Sequence, residues 1–188
     1  MTKEMLCNAL NYINASREKR GEMAATILSQ PSLIPLLIEI MKDDKAPLSA
    51  KASWVLEFVA KDDIHHIFHN IQPFKDALPY LSLESSIRPA SKICELLVSY
   101  QYGDGPKYKL TKTELNTIAE VAFDWLIGEH KVATKAYAMT TLFSLGKSID
   151  WIHPELEQIL KLNFEYGSAA YKARARMTLK AIEKLKKD

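Results

Sequence analysis

Lys51-Ala52, Lys135-Ala136 and Lys172-Ala173 each open an apolar helical run, and a large hydrophobe stands seven residues after each lysine, at Phe58, Leu142 and Leu179. Arg88-Pro89-Ala90 with Leu96 repeats the pattern with a one-residue slip, and Arg20 with Ile27 gives a fainter copy. From Arg20 onward the basic openings are 31, 37, 47 and 37 residues apart, within or near the period of helical-hairpin arrays. A helix of about 15 residues with one apolar stripe cannot bury that stripe alone, so consecutive units must stack into a shared core.

Apolar residues recur at helical spacing nearly everywhere, as in Val132, Ala136, Met139 and Phe143, and no segment alternates like a strand. Pro31, Pro47 and Pro154 fall where helices should begin, a position that needs no backbone donor. Gly128 and Gly146 fall where helices should stop. Thr111-Lys-Thr-Glu114 fits a capping box and predicts a helix from about 112 to 127. The pattern predicts five hairpins: 3–14 with 17–29, 32–42 with 47–61, 64–82 with 86–101, 112–127 with 131–146, and 154–165 with 168–186. Pro73 and Pro79 must kink or split the first helix of the third pair. In the helix over 47–61, apolar residues leave only Ser53 and Glu57 as a narrow polar edge, which predicts a deep position, with Trp54 buried.

This arrangement resembles the HEAT and armadillo class of repeats over nearly the whole chain. In HEAT repeats an acid in the turn precedes a base near the start of the second helix by about six residues. Glu129 to Lys135 matches at six, Glu165 to Lys172 and Asp44 to Lys51 at seven, and Glu84 to Arg88 departs at four. The resemblance implies an all-α, right-handed α-solenoid of about five HEAT-like hairpins, a single domain over 1–188, with the second helices lining the inner face. Ion pairs between turn acids and these bases would then hold successive repeats in register.

With 47% hydrophobic residues the chain can build a core, and a net charge of +2 marks it as neither polyanion-seeking overall nor an acidic tail. Charge is uneven, however: 168–188 carries seven Lys or Arg against two acids. Cys7 and Cys94 lie in apolar helical patterns without metal-ligand spacing and read as reduced core residues. No run approaches the roughly 18 apolar residues of a membrane span, so the expectation is a cytoplasmic protein with no membrane partner.

Several clusters could carry function. The long interval between the third and fourth units falls in 100–110, where Tyr100, Tyr102 and Tyr108 interleave with Lys107 and Lys109; these could anchor a peptide or stack on bases, and Gly103-Asp-Gly-Pro106 reads equally as a plain turn. Lys172, Arg176, Lys180, Lys184 and Lys187 form one helical stripe opposite Ala175, Leu179, Ile182 and Leu185. That stripe is a solvated face on a terminal repeat or a phosphate-tracking edge. Asp62, Asp63, His65, His66 and His69 crowd one helix start, but two histidines four apart make only half a tetrahedral site, so the reading is no metal. No nucleophile-elbow, phosphate-loop or dinucleotide signature occurs, no catalytic residue is singled out and no cofactor is implied. Ser85-Ser-Ile-Arg-Pro-Ala-Ser-Lys92 departs at several points from the loop of the fumarase and adenylosuccinate lyase superfamily, so nothing is carried over from it.

The expected function is a non-catalytic scaffold or adaptor that binds a protein partner. The alternative is nucleic-acid binding, since HEAT-like arrays also occur in DNA-alkylation-repair glycosylases; Trp54, Arg88, Trp125, Trp151 and the C-terminal stripe would then serve that surface.

Overall fold

A computed structural model of the chain describes residues 1–187. Among the described residues there is no strand; eleven α-helices and two short 3-10 turns account for the ordered elements. The helices are α1 (Lys3–Leu10), α2 (Arg17–Ser29), α3 (Ile34–Lys42), α4 (Leu48–Asp62), α5 (His65–His69), α6 (Ile71–Ala77), α7 (Glu84–Gln101), α8 (Lys112–Ile127), α9 (Val132–Leu145), α10 (Ile152–Leu162) and α11 (Ala169–Leu185).

Helix ends follow local chemistry. Thr2, Ser16 and Ser168 accept the first free N–H groups of α1, α2 and α11. Thr111 and Glu114 complete both halves of the capping box at the start of α8. Gly128 and Gly146 cap the far ends of α8 and α9. The helix expected over 64–82 is split into α5, α6 and a 3-10 turn, with Pro73 in the first turn of α6 and Pro79 inside the 3-10 turn, because neither can donate to a continuing ladder. The first helix stops at Leu10 rather than residue 14, where Asn11 and Ile13 turn back onto Asn8 and Leu10 carbonyls.

The chain forms two compact units, Met1–Leu97 and Val98–Asp188, and the division falls within α7. In the first unit α3 packs on α4, while α1, α3 and α6 pack in one row and α2 packs on α4. Leu6, Leu10, Ile27, Ile34, Leu37, Ile38, Val55, Leu56 and Phe74 are fully or almost fully buried there. In the second unit α8 packs on α9, and α9 packs in turn on α10 and α11. Its core holds Ile118, Ala122, Trp125, Leu126, Met139, Leu142, Leu156, Leu160, Ala175 and Ile182. No single helix among the described residues is long and apolar enough to cross a membrane.

The ties between helices of the first unit differ from the acid–base ladder expected. Lys51 Nζ donates to the Asn11 carbonyl at 2.8 Å, not to Asp44. Asp44, in the left-handed region at φ 48°, instead accepts from the Ser82 N–H at 2.8 Å and from the Leu83 N–H at 3.4 Å. Arg88 pairs with Glu57 at 2.8 Å. Glu57 and Ser53, the narrow polar edge of α4, lie deep as expected. Both side chains are buried, Glu57 between Arg88 and Lys61 and Ser53 with its hydroxyl on the Ser49 carbonyl.

Candidate functional site

In the second unit the 100–110 segment is stapled by its own tyrosines. The Tyr100 hydroxyl accepts from the Lys107 N–H at 2.9 Å, Gln101 Oε1 accepts from the Leu110 N–H at 2.8 Å, and the Tyr102 hydroxyl meets the Ser148 hydroxyl. Lys107 lies over the Tyr108 ring at 5.3 Å, and Lys109 is exposed. The Tyr100 and Tyr102 hydroxyls thus hold the loop's shape.

On α11, Ala175 and Ile182 are buried and Leu179 is half-buried, whereas Leu185, expected on the docked face, is 45% exposed. Arg176 stands over the Phe164 ring at 5.6 Å. The neighbouring acids are engaged by other cations: Glu157 by Lys161 and Lys186, Glu183 by Lys187. Among the described residues Lys172, Arg176, Lys180 and Lys184 make no ion pair, and Arg176, Lys180 and Lys184 are exposed.

The histidine cluster is organised around one carboxylate. Asp63 Oδ1 lies 3.1 Å from His65 Nδ1, Oδ2 lies 3.7 Å from His66 Nε2, and Asp63 also accepts the His65 N–H at 3.0 Å. No group of three or more potential ligands for a metal occurs among the described residues.

A cluster in the first unit joins α2, α4 and α7. Trp54 is half-buried rather than deep, with the Arg20 guanidinium 4.5 Å above its ring. Burial, and then the charge of Arg88, push Arg20 below the ordinary guanidinium value, with Glu57 opposing. Pro89 lies inside α7 and has no N–H, so the Ser85 carbonyl one turn earlier has no intrahelical donor. Trp54 Nε1 donates to that carbonyl at 2.9 Å.

A second feature, not singled out from the sequence, lies in the second unit between the α8–α9 and α10–α11 turns. It is a cleft of about 600 Å³, bounded by Ile127, Val132 and Lys135 on one side and by Asn163, Tyr166 and Tyr171 on the other. Ile127 is 60%, Val132 37% and Tyr166 90% exposed. Lys135 does not pair with Glu129; its ammonium lies 6.0 Å from the Tyr171 ring centroid, and it makes no ion pair among the described residues. Tyr171 is buried, its hydroxyl without a hydrogen bond at normal geometry. Burial pushes its phenol up, and the nearby Asn163 side chain offsets part of that. Gly167 makes room for this ring, since a Cβ there would stand 2.4 Å from Tyr171 Cδ1. The legible signal was a pair of large apolar residues, Ile127 and Val132, flanking a turn, where solvent-facing polar residues are usual.

No family model, curated protein or solved structure matches the chain.

Proposed function

We propose that the chain is a non-catalytic, HEAT-like repeat scaffold or adaptor, a right-handed stack of about five hairpins, that binds a protein partner. Support for the repeat reading comes from the packing within each unit, where first helix meets first helix (α1, α3, α6) and second meets second (α2 on α4, α9 on α11). The observation that carries the binding role is the cleft between the two turns, where three large apolar residues face solvent together rather than singly. Apolar surface gathered in a concavity is removed from water by a partner at roughly 25 cal/mol per Å².

A photo-crosslinking amino acid at position 166, in cells that make the protein, is expected to yield a discrete protein adduct, while the same group at the exposed Glu18 does not. Indistinguishable or absent adducts at the two positions would sink the reading.

Nucleic-acid binding, by a protein related to the DNA-alkylation-repair glycosylases, is the second reading. The cations of α11 that lack ion pairs among the described residues favour it. Fluorescence anisotropy with labelled duplex and single-stranded DNA at about 50 and 200 mM salt separates the two, because phosphate binding weakens steeply with salt.

A further inference from the structure

Building on the docking role just proposed, we infer that the cleft of the second unit takes an extended peptide segment in which an acidic side chain stands within a few residues of a large apolar one. The walls set both halves of that chemistry. Ile127, Val132 and Tyr166 present apolar surface to solvent, and Tyr166 is 90% exposed, so nothing among the described residues covers it.

Charge decides the rest. Among the described residues no carboxylate lines the cleft, whereas Lys131 and Lys135 do, and Ser168, the N-cap of α11, stands at its rim. Lys135 lies against the Tyr171 ring and makes no ion pair among the described residues. An acidic side chain entering beside it would meet an ammonium that loses no existing pair, close to the positive end of a 17-residue helix. A basic segment would meet like charge, which costs affinity.

Size and shape favour a peptide over a small ligand. About 600 Å³ is within the range of ligand sites, but walls as exposed as Tyr166 and Ile127 enclose little, and a chain that continues beyond the cleft gains contact on both rims. Isoleucine and valine walls also suit an apolar side chain, whereas a phosphate backbone leaves them uncovered. The occupant is thus a stretch such as a leucine or phenylalanine near aspartate or glutamate, the apolar side chain against Ile127 and Tyr166 and the carboxylate at Lys135.

The test is selection of a random 12-residue phage-displayed peptide library on the intact protein, followed by anisotropy titrations of the enriched peptides. The expected result is enrichment of sequences pairing a large hydrophobe with an acid, binding about fivefold to tenfold weaker to Lys135→Gln and lost in Tyr166→Ala. Tyr166 is so exposed that its truncation leaves folding intact, which guards against misreading an unfolded variant. Lys135→Glu should reverse the preference toward peptides whose acid is replaced by lysine. Enrichment of apolar peptides without acids, still lost in Tyr166→Ala, overturns the acidic occupant and leaves the docking role standing. Peptides that bind Tyr166→Ala and Ile127→Ser as well as the parent, or no enrichment at all, overturn both. Duplex DNA whose binding is abolished by Tyr166→Ala also overturns both, in favour of a nucleic-acid site.

Discussion

The hydrogen bond from Trp54 to the Ser85 carbonyl exists because Pro89 does not make its own, and that dependence can be measured. Trp54→Phe keeps an aromatic ring under Arg20 but removes the donor, leaving a part-buried carbonyl unmet. Loss of the bond costs about 1–2 kcal/mol, and the smaller ring adds roughly 1 kcal/mol of lost burial. Pro89→Ala supplies an N–H at the position where α7 lacks one, so the Ser85 carbonyl gains an intrahelical partner. In that background Trp54→Phe should cost only the ring term. A double-mutant cycle by urea denaturation of the four proteins should therefore give a coupling of about 1–2 kcal/mol. The cation–π contact of Arg20 is altered equally in both arms and cancels. A coupling within about 0.3 kcal/mol of zero, with unchanged denaturant slopes, would refute the argument, because it would mean that water or another donor already serves the carbonyl.

Other outcomes follow from the same geometry. Arg88→Met should destabilise by about 2 kcal/mol, less than the 3–5 typical of a broken buried pair, because Lys61 still faces Glu57; replacing Glu57 with Gln in that variant should recover part of the loss in thermal or urea melts. Burial pushes the Cys94 thiol well above its ordinary value, so a thiol-specific chromogenic reagent should modify part-exposed Cys7 in the native protein and reach Cys94 only on unfolding. Hydrogen bonds from Lys161 and Lys186 hold Glu157 below the ordinary carboxylate value of 4.5. Its contribution is thus present above that value and is lost as the pH falls through the lower folded one. Solvent screening keeps it below about 1 kcal/mol, and the stability difference between the parent and Glu157→Gln should shrink over that acidic window. Gly167→Ala should disturb the Tyr171 ring, read as a changed tyrosine fluorescence and a lower melting temperature.

Helix boundaries were legible in the sequence where a cap or a proline sets them locally. Thr111 with Glu114, Gly128, Gly146, Pro73 and Pro79 act through their own backbone and a neighbour within one turn, so their meaning survives without knowledge of the fold. The partner of Glu57 was not legible, for the opposite reason. A carboxylate on a helix edge is a solvated group unless another element covers it, and here Arg88, 31 residues away, supplies both cover and countercharge. Trp54 was expected deep and is half-buried because its indole N–H needs a partner at the Ser85 carbonyl, which keeps the ring near the α4–α7 edge. The cleft was missed because it is a property of two turns brought together, and neither Ile127 nor Tyr166 is unusual by itself.

The ties of the first unit have one further consequence. Lys51, Arg20 and Trp54 each donate to a main-chain oxygen, at Asn11, Asn14 and Ser85. Every amino acid carries such an oxygen, so the residues at 11, 14 and 85 can drift freely while the donors across from them stay fixed. In a set of related chains these contacts would leave no correlated substitutions at their two ends. Methods that infer proximity from paired changes would be blind to them, although they join helix to loop and helix to helix.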